Sequence, residues 1–494
     1  MTDKRRSGVL MHISSLSSDY GIGTFGKDAY AFADFLEQSG QSLWQILPLC
    51  PTSFGDSPYQ SFSSFAGNPY FIDFELLRRD NLLKKSDYAD INWGNSAEKV
   101  DYEKIYKGRK MVFDALYKSF VKNIPTEFYE FCENQDFWLS DYSLFMAEKE
   151  AHGGLSWNFW NEDIKKRKPK TIEAEKEKFR YEMQFHKMLQ YLFYKQWNAL
   201  KQYVNDKNIE IIGDIPIYVS QDSADVWASP QNFRLDEQYN PLEVAGCPPD
   251  KFTASGQLWG NPLFDWDYMK KDNYSWWIRR IAYNMKLYDV IRIDHFRGFD
   301  AYYAVPAKAE TAKNGVWREA GGEAFFNSVY EQLGSINIIA EDLGFLTPSV
   351  KALLKQTGFP GMKVLQFAFD SREAGDYLPH NYGRNSVVYT GTHDNDTILG
   401  WIKSAPAEDV ALAKKYFALN KAEGYHWGMI RGAFSSVSNT AVVTAQDILG
   451  LDGRARMNIP STLGGNWQWR AKKGAFTKEI SEKLFEYTRL YQRI

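Results

Sequence analysis

The strongest constraint on this chain is a series of eight short apolar, β-branched runs spread along its length. They are residues 8–16 (GVLMHISSL), 42–49 (SLWQILPL), 209–219 (IEIIGDIPIYV), 290–296 (VIRIDHF), 336–344 (INIIAEDLG), 363–369 (KVLQFAF), 386–394 (SVVYTGTHD) and 440–451 (TAVVTAQDILGL). Apolar residues run continuously in them instead of alternating, which marks strands covered on both faces, as in a parallel sheet. Helical patterns lie between. Residues 27–38 put Ala29, Phe32, Ala33, Phe35 and Leu36 on roughly one face, and residues 276–288 and 323–333 fit the same period. Residues 348–356 open after Thr347, a suitable N-cap, with Pro348 at the first helical position. Eight strands alternating with helices is the count of a (β/α)8 barrel.

Two gaps are too long for a single crossover helix. Residues 71–208 hold a charge-rich helical stretch, 173–205, preceded by the basic run 165–170 (KKRKPK), which reads as a solvated face. Residues 220–289 hold a Gly/Pro/Asn-rich stretch, 240–262, which reads as an ordered surface loop. The expectation is one catalytic barrel over residues 1–494, with a helical insertion at about 71–208 and a loop-rich one at about 220–289 over the cleft. No separate C-terminal β-domain is expected after residue 451.

Composition removes several function classes. Lys+Arg 59 against Asp+Glu 62 leaves a net charge of −3, too little positive field for broad phosphate-backbone binding, so no nucleic acid partner is expected. Three widely spaced cysteines, Cys50, Cys132 and Cys247, give neither a disulfide framework nor a paired CxxC for zinc, and read as buried reduced thiols. Without a signal-peptide core or an apolar run of about 18 residues, the expectation is a soluble, cytoplasmic protein with no membrane partner. Gly21-Ile22-Gly23-Thr24-Phe25-Gly26 matches GxGxxG. Its first glycine, however, comes about five residues after the strand, and the second strand ends Ile46-Leu47-Pro48 with no acid for a ribose hydroxyl. A nucleotide cofactor is therefore not expected.

The polar residues of the strands are more telling. Asp214, Asp294, Glu341, Asp370, Asp394 and Asp447 each fall late in, or just after, one of the runs, and barrel chemistry sits at the carboxyl ends of strands, where the loops converge. Residues two apart on a strand share a face, so Arg292 and Asp294 point the same way, and the guanidinium steadies the carboxylate's charge. Glu341 should face the cleft and Asp342 away from it. Asp294, Glu341 and Asp394 would then meet across one cleft. That is the kit for acetal cleavage: one carboxylate to attack or shield the sugar carbon, one protonated to release the leaving oxygen, and a third to hold hydroxyls. The surplus of rings (16 Trp, 30 Tyr and 33 Phe, 16% of the chain with which to pack a core and line a cleft) would supply stacking platforms for sugars. The bland alternative is a set of rim acids in salt bridges. A metal site on His393, Asp394 and Asp396 lacks a second His at helix or strand spacing, so no metal is expected.

The strings HISSL, YGIGTFG, SPYQSFSSFAGNP, GDIPIYV, RIDHFRG, AEDLG, TGTHDN and GNWQWR, spanning residues 11–470, closely resemble the amylomaltases, or 4-α-glucanotransferases, of the α-amylase clan. The resemblance implies a nucleophile at Asp294, a general acid/base at Glu341 and a transition-state stabiliser at Asp394. It implies substrate contacts at Arg292, His393, Asp214, Tyr59, Ser57, Trp259, Asp370 and Asn466. It further implies transfer of α-1,4-glucan segments to the 4-hydroxyl of an acceptor glucan or glucose by a retaining double displacement. The rivals are an α-glucan hydrolase and a non-catalytic glucan-binding protein. One departure is informative. The true α-amylases follow the first strand-end Asp with Asn-His, whereas this chain has Asp214-Ile215-Pro216, so an amylase-type calcium site is not expected. Phe54 stands where some members carry a tyrosine.

Overall fold

The computed structural model describes residues 4–249, 254–344, 346–370 and 377–494. Eight parallel strands close into a barrel in strict chain order: β1 (Arg6–Leu10), β2 (Leu43–Gln45), β3 (Glu210–Ile215), β4 (Val290–Ile293), β5 (Ile338–Ala340), β6 (Gly361–Val364), β7 (Ser386–Tyr389) and β8 (Thr440–Thr444). The register of β8 on β1, Arg6 against Thr440 through Leu10 against Thr444, closes the ring. The (β/α)8 expectation stands, and the strands are buried almost throughout. The seam is sealed from below by Arg493. Its buried guanidinium donates to the carbonyls of Arg6, Phe434 and Ser438 at 2.9, 2.9 and 3.0 Å.

The strands are shorter than the apolar runs that announce them. Residues past the barrel rim stay mostly buried but turn, as in Ile13–Ser15 after β1, Leu365 and Gln366 after β6 and Ala445–Ile448 after β8. Apolar continuity reports burial and not extended backbone, so the runs overshoot. One strand-end acid is reassigned by this. Buried Asp447 lies in the turn after β8, accepting from Thr390 Oγ1 at 2.8 Å and from the Ile398 amide at 2.7 Å. It thus receives the first amide of the helix Ile398–Ser404, whose capping side chain is Thr397.

Helices predicted at 27–38, 276–288, 323–333 and 348–356 appear as Lys27–Gln38, Ser275–Leu287, Gly322–Leu333 and Pro348–Thr357. Thr347 caps the last through its side chain. Between β2 and β3 run six helices of at least six residues, ending in the 27-residue Arg180–Asp206 that leads into β3. The stretch 173–205 is two helices and not one, because Phe179 leaves helical backbone between Pro169–Lys178 and Arg180–Asp206. The basic run 165–170 is only partly a solvated face. Lys165 is buried beside Glu162, and the Arg167 guanidinium lies 4.2 Å from the Trp227 ring centre while pairing with Asp141. The glycines of the GxGxxG string serve packing. A Cβ on Gly23 would lie 1.8 Å from the Ile13 carbonyl oxygen, and one on Gly26 2.0 Å from the Asp73 carboxyl.

The stretch 240–262 departs most from expectation. It carries two strands, Glu243–Cys247 and Gln257–Pro262, which join Ala301–Pro306 and Val316–Glu319 in a four-stranded antiparallel sheet beside the barrel. Glycine and proline density there hid a hairpin whose partners come from after β4. The three cysteines are free thiols, partly exposed instead of fully buried. Among the described residues no helix is long and apolar enough to cross a membrane.

Candidate active site

The site grows from the register of β3 and β4, which sets Asp214 directly beside Arg292. One guanidinium nitrogen of Arg292, Nη1, donates to both Asp214 oxygens at 2.8 and 2.7 Å and to Asp294 Oδ1 at 3.0 Å. Arg292 and Asp294 therefore share a face, as their spacing requires. Asp214 is fully buried, whereas Asp294, one residue past β4, keeps 31% of its side chain exposed. A buried arginine tied to an acid behind it presents the second acid to the cleft with its charge matched.

Glu341 follows β5, one strand further round. It accepts two backbone amides, His295 N–H on Oε2 and Leu343 N–H on Oε1, both at 2.8 Å. Burial, and next the charge of Asp294, push its carboxyl up to about 7. Its neighbour Asp342 does turn the other way, accepting from Met362 N–H at 2.6 Å. Two acids with environments this different can take different proton roles.

Asp394 stands beyond β7 in a loop, with 45% of its side chain exposed. Asn458 Nδ2 donates to its Oδ1 at 2.6 Å, and Arg456 Nη2 donates to its carbonyl at 2.6 Å. Buried His393 stacks on Tyr59 at 4.9 Å between ring centres and tilts against Trp467 at 5.9 Å. The Tyr59 hydroxyl donates to Asp214 Oδ2 at 2.7 Å. Burial and then the surrounding carboxylates Asp214, Asp294 and Asp394 raise its phenol well above the usual range. Tyr59 thus joins the β3–β4 acids to the β7 loop, and its ring face toward His393 is already taken.

Of the remaining expected contacts, Ser57 Oγ accepts the Tyr59 amide at 3.2 Å, fixing the bend that presents the tyrosine. Trp259 lies on Gln257–Pro262, its ring perpendicular to that of His295 with the ring centres 4.9 Å apart. The loop carrying Tyr59 and the strand carrying Trp259 are tied together by Gln60 Nε2 donating to Asn261 Oδ1 at 3.2 Å. Asn466 is buried and spends its amide within its own loop, on Thr462 and on the Ile459 N–H. Partly buried Asp370 stands beyond β6. The side chain of Phe54 lies outside the described residues.

Three residues of the site escaped the sequence reading: His295, Arg456 and Asn458. His295 sits inside RIDHFRG, where the acid drew all attention. Its signal is conformational, a left-handed backbone at φ 51° and ψ 52°. Arg456 and Asn458 belong to a stretch after β8 that carries no strand-end acid to flag it. Among the described residues no group of three or more His, Cys, Asp or Glu side chains is placed to hold a metal ion.

The family profile described as 4-alpha-glucanotransferase matches residues 11–476. A 4-alpha-glucanotransferase of Clostridium butyricum is 52% identical over 98% of this chain and 100% of its own, and one of Synechocystis is 46% identical over 100% and 99%. The amylomaltase of Streptococcus agalactiae, solved in complex with acarbose, superposes with a TM-score of 0.97 at 44% identity, covering 99% of this chain and 100% of that one. At 19% identity the amylomaltase of Corynebacterium glutamicum still shares the fold, with a TM-score of 0.79 over 98% of this chain and 75% of its own. Matched by the family profile over residues 11–476 and by relatives along nearly its whole length, the chain belongs to the 4-alpha-glucanotransferase family.

Proposed function

We propose that the protein disproportionates maltooligosaccharides by a retaining double displacement, within a single catalytic unit formed by the barrel and its insertions. Asp294 attacks the anomeric carbon of a donor α-1,4-glucan and forms a covalent glucosyl-enzyme, while Glu341 gives its proton to the departing 4-oxygen. An acceptor glucan or glucose then enters, Glu341 takes the proton of its 4-hydroxyl, and a new α-1,4 bond releases Asp294. Asp394 and His393 hold sugar hydroxyls as the ring flattens, and Trp259 offers its face to the sugar on the acceptor side. Ser57, Asp370 and Asn466 are assigned to the flanking glucan units, and no cofactor takes part.

The observation that carries this reading is Glu341, raised to about 7 by burial and by the charge of Asp294. A proton held at neutral pH is what the first step needs. Once Asp294 is esterified its charge is gone, the upward push on Glu341 falls, and the same carboxyl becomes the base that the second step needs. Transfer over hydrolysis requires water to be kept from the ester, and the linked segments bearing Tyr59 and Trp259 are positioned to do that.

Incubation with maltotriose tests the proposal. The expected products are glucose and a ladder of longer maltodextrins, with retained α configuration in the first-formed product. Shorter products alone would make it a hydrolase. Asp294→Asn should abolish both activities, and an undiminished ladder from that variant would defeat the assignment.

A further inference from the structure

His295 follows the proposed nucleophile directly, yet nothing in the chemistry above uses its side chain. Its backbone is left-handed, a conformation that costs a non-glycine residue roughly 1–2 kcal/mol and that glycine would adopt freely. A conformation of this kind persists where its surroundings demand it, and it clusters at functional sites. The His295 carbonyl accepts Gly298 N–H at 2.9 Å and opens the turn Phe296–Phe299, and two further contacts tie the residue to the site. Its amide N–H points at Glu341 Oε2 at 2.8 Å, and its ring meets Trp259 edge to face at 4.9 Å and 87°. The ring's Nε2 is buried with no hydrogen-bond partner, and burial pushes the imidazole down to about 4, so it is neutral at working pH. An uncharged ring with Nε2 unpartnered is suited to packing more than to proton transfer.

We infer that His295 is a positioning residue that couples the two halves of the reaction: its left-handed backbone aims an amide at the acid/base Glu341, and its ring props the Trp259 platform. The backbone function needs only tolerance of positive φ. The ring function needs an aromatic edge. Glycine and asparagine keep the first and lose the second, whereas β-branched valine, which resists positive φ, loses both. Because the His295 amide bonds the charged form of Glu341, it holds that carboxyl lower than burial alone would, and its loss moves the titration upward.

This inference rests on Glu341 being the acid/base, so Glu341→Gln is measured alongside. Maltotriose disproportionation is followed across pH for wild type, H295G, H295N, H295V and E341Q, with thermal melts to exclude unfolded samples. The expected result for H295G and H295N is an alkaline limb near pH 7 as in wild type, with KM raised about three- to tenfold for loss of the ring contact. For H295V the limb should move up by about one pH unit, with a fall in kcat. A common fall in kcat in all three His295 variants, with neither the KM rise nor the limb shift, overturns the inference, as does wild-type behaviour in all three. An active E341Q would instead overturn the acid/base assignment beneath it.

Discussion

The two sides of the cleft are built by different means. On the β3–β5 side, Asp214, Asp294 and Glu341 lie within a residue of a barrel strand and are fixed by strand register, one shared arginine and backbone amides. On the β7 side, Asp394 rides a loop, half exposed, and is held by the side chains of Asn458 and Arg456 from a segment after β8. A guanidinium fixed in the sheet and amides in the short turns just past it hold these acids with little freedom, which suits groups that must exchange covalent bonds and protons over sub-ångström distances. A loop-borne acid gripped by side chains suits contact with a substrate that must arrive, distort and leave.

Substitutions can break this contrast at points of decreasing severity. Asp294→Asn removes the attacking group, and transfer should fall on the order of 10⁴-fold or more, read by glucose release from maltotriose. Glu341→Gln should cost about 10²–10⁴-fold, but far less with a glucosyl donor whose leaving group needs no proton. Equal losses on both donors would remove Glu341 from the acid role. The alkaline limb of kcat/KM belongs to the same residue. The protonated form is the active one and the carboxyl titrates at about 7, so rate is expected to decline as pH rises through that value; a flat profile from pH 6 to 8 would contradict it. Across the cleft, Asn458→Ala leaves Asp394 in place without its anchor. The loss of a hydrogen bond to a charged group predicts about ten- to a hundredfold in kcat, with little change in melting temperature. A loss as large as that of Glu341→Gln would mean that the loop side is as rigidly coupled as the strand side. The mildest expected effect comes from Gln60→Ala, which unties the Tyr59 loop from the Trp259 strand. The ratio of hydrolysis to transfer should rise about two- to tenfold, and an unchanged ratio would assign water exclusion to other groups.

The same contrast explains what could be read without coordinates. The barrel and its acids were legible because strands buried on both faces must be continuously apolar, so Asp214, Arg292, Asp294 and Glu341 stand out against Ile and Val in linear order. Asp394 was legible as the acid that closes the run 386–394, although its strand itself ends five residues earlier, at Tyr389. Asn458 and Arg456 were invisible because their partner lies more than sixty positions away and no period links the two segments. The side sheet was missed for a related reason. Glu243–Cys247 pairs with Ala301–Pro306 across β4, and glycines on a strand look like those of a loop. Asp447 misled because burial behind the cleft and burial beneath it give the same apolar surroundings.

The seam of the barrel has a consequence for how the protein is made. β1 gains β2 as a neighbour early, but its other edge pairs only with β8, Arg6 against Thr440, and Arg493 locks the joint from 487 residues beyond Arg6. At synthesis rates of about 5–20 residues per second, that edge stays unpaired on the ribosome for roughly 20–90 s before its partner is even translated. Closure of the ring therefore cannot precede the translation of β8.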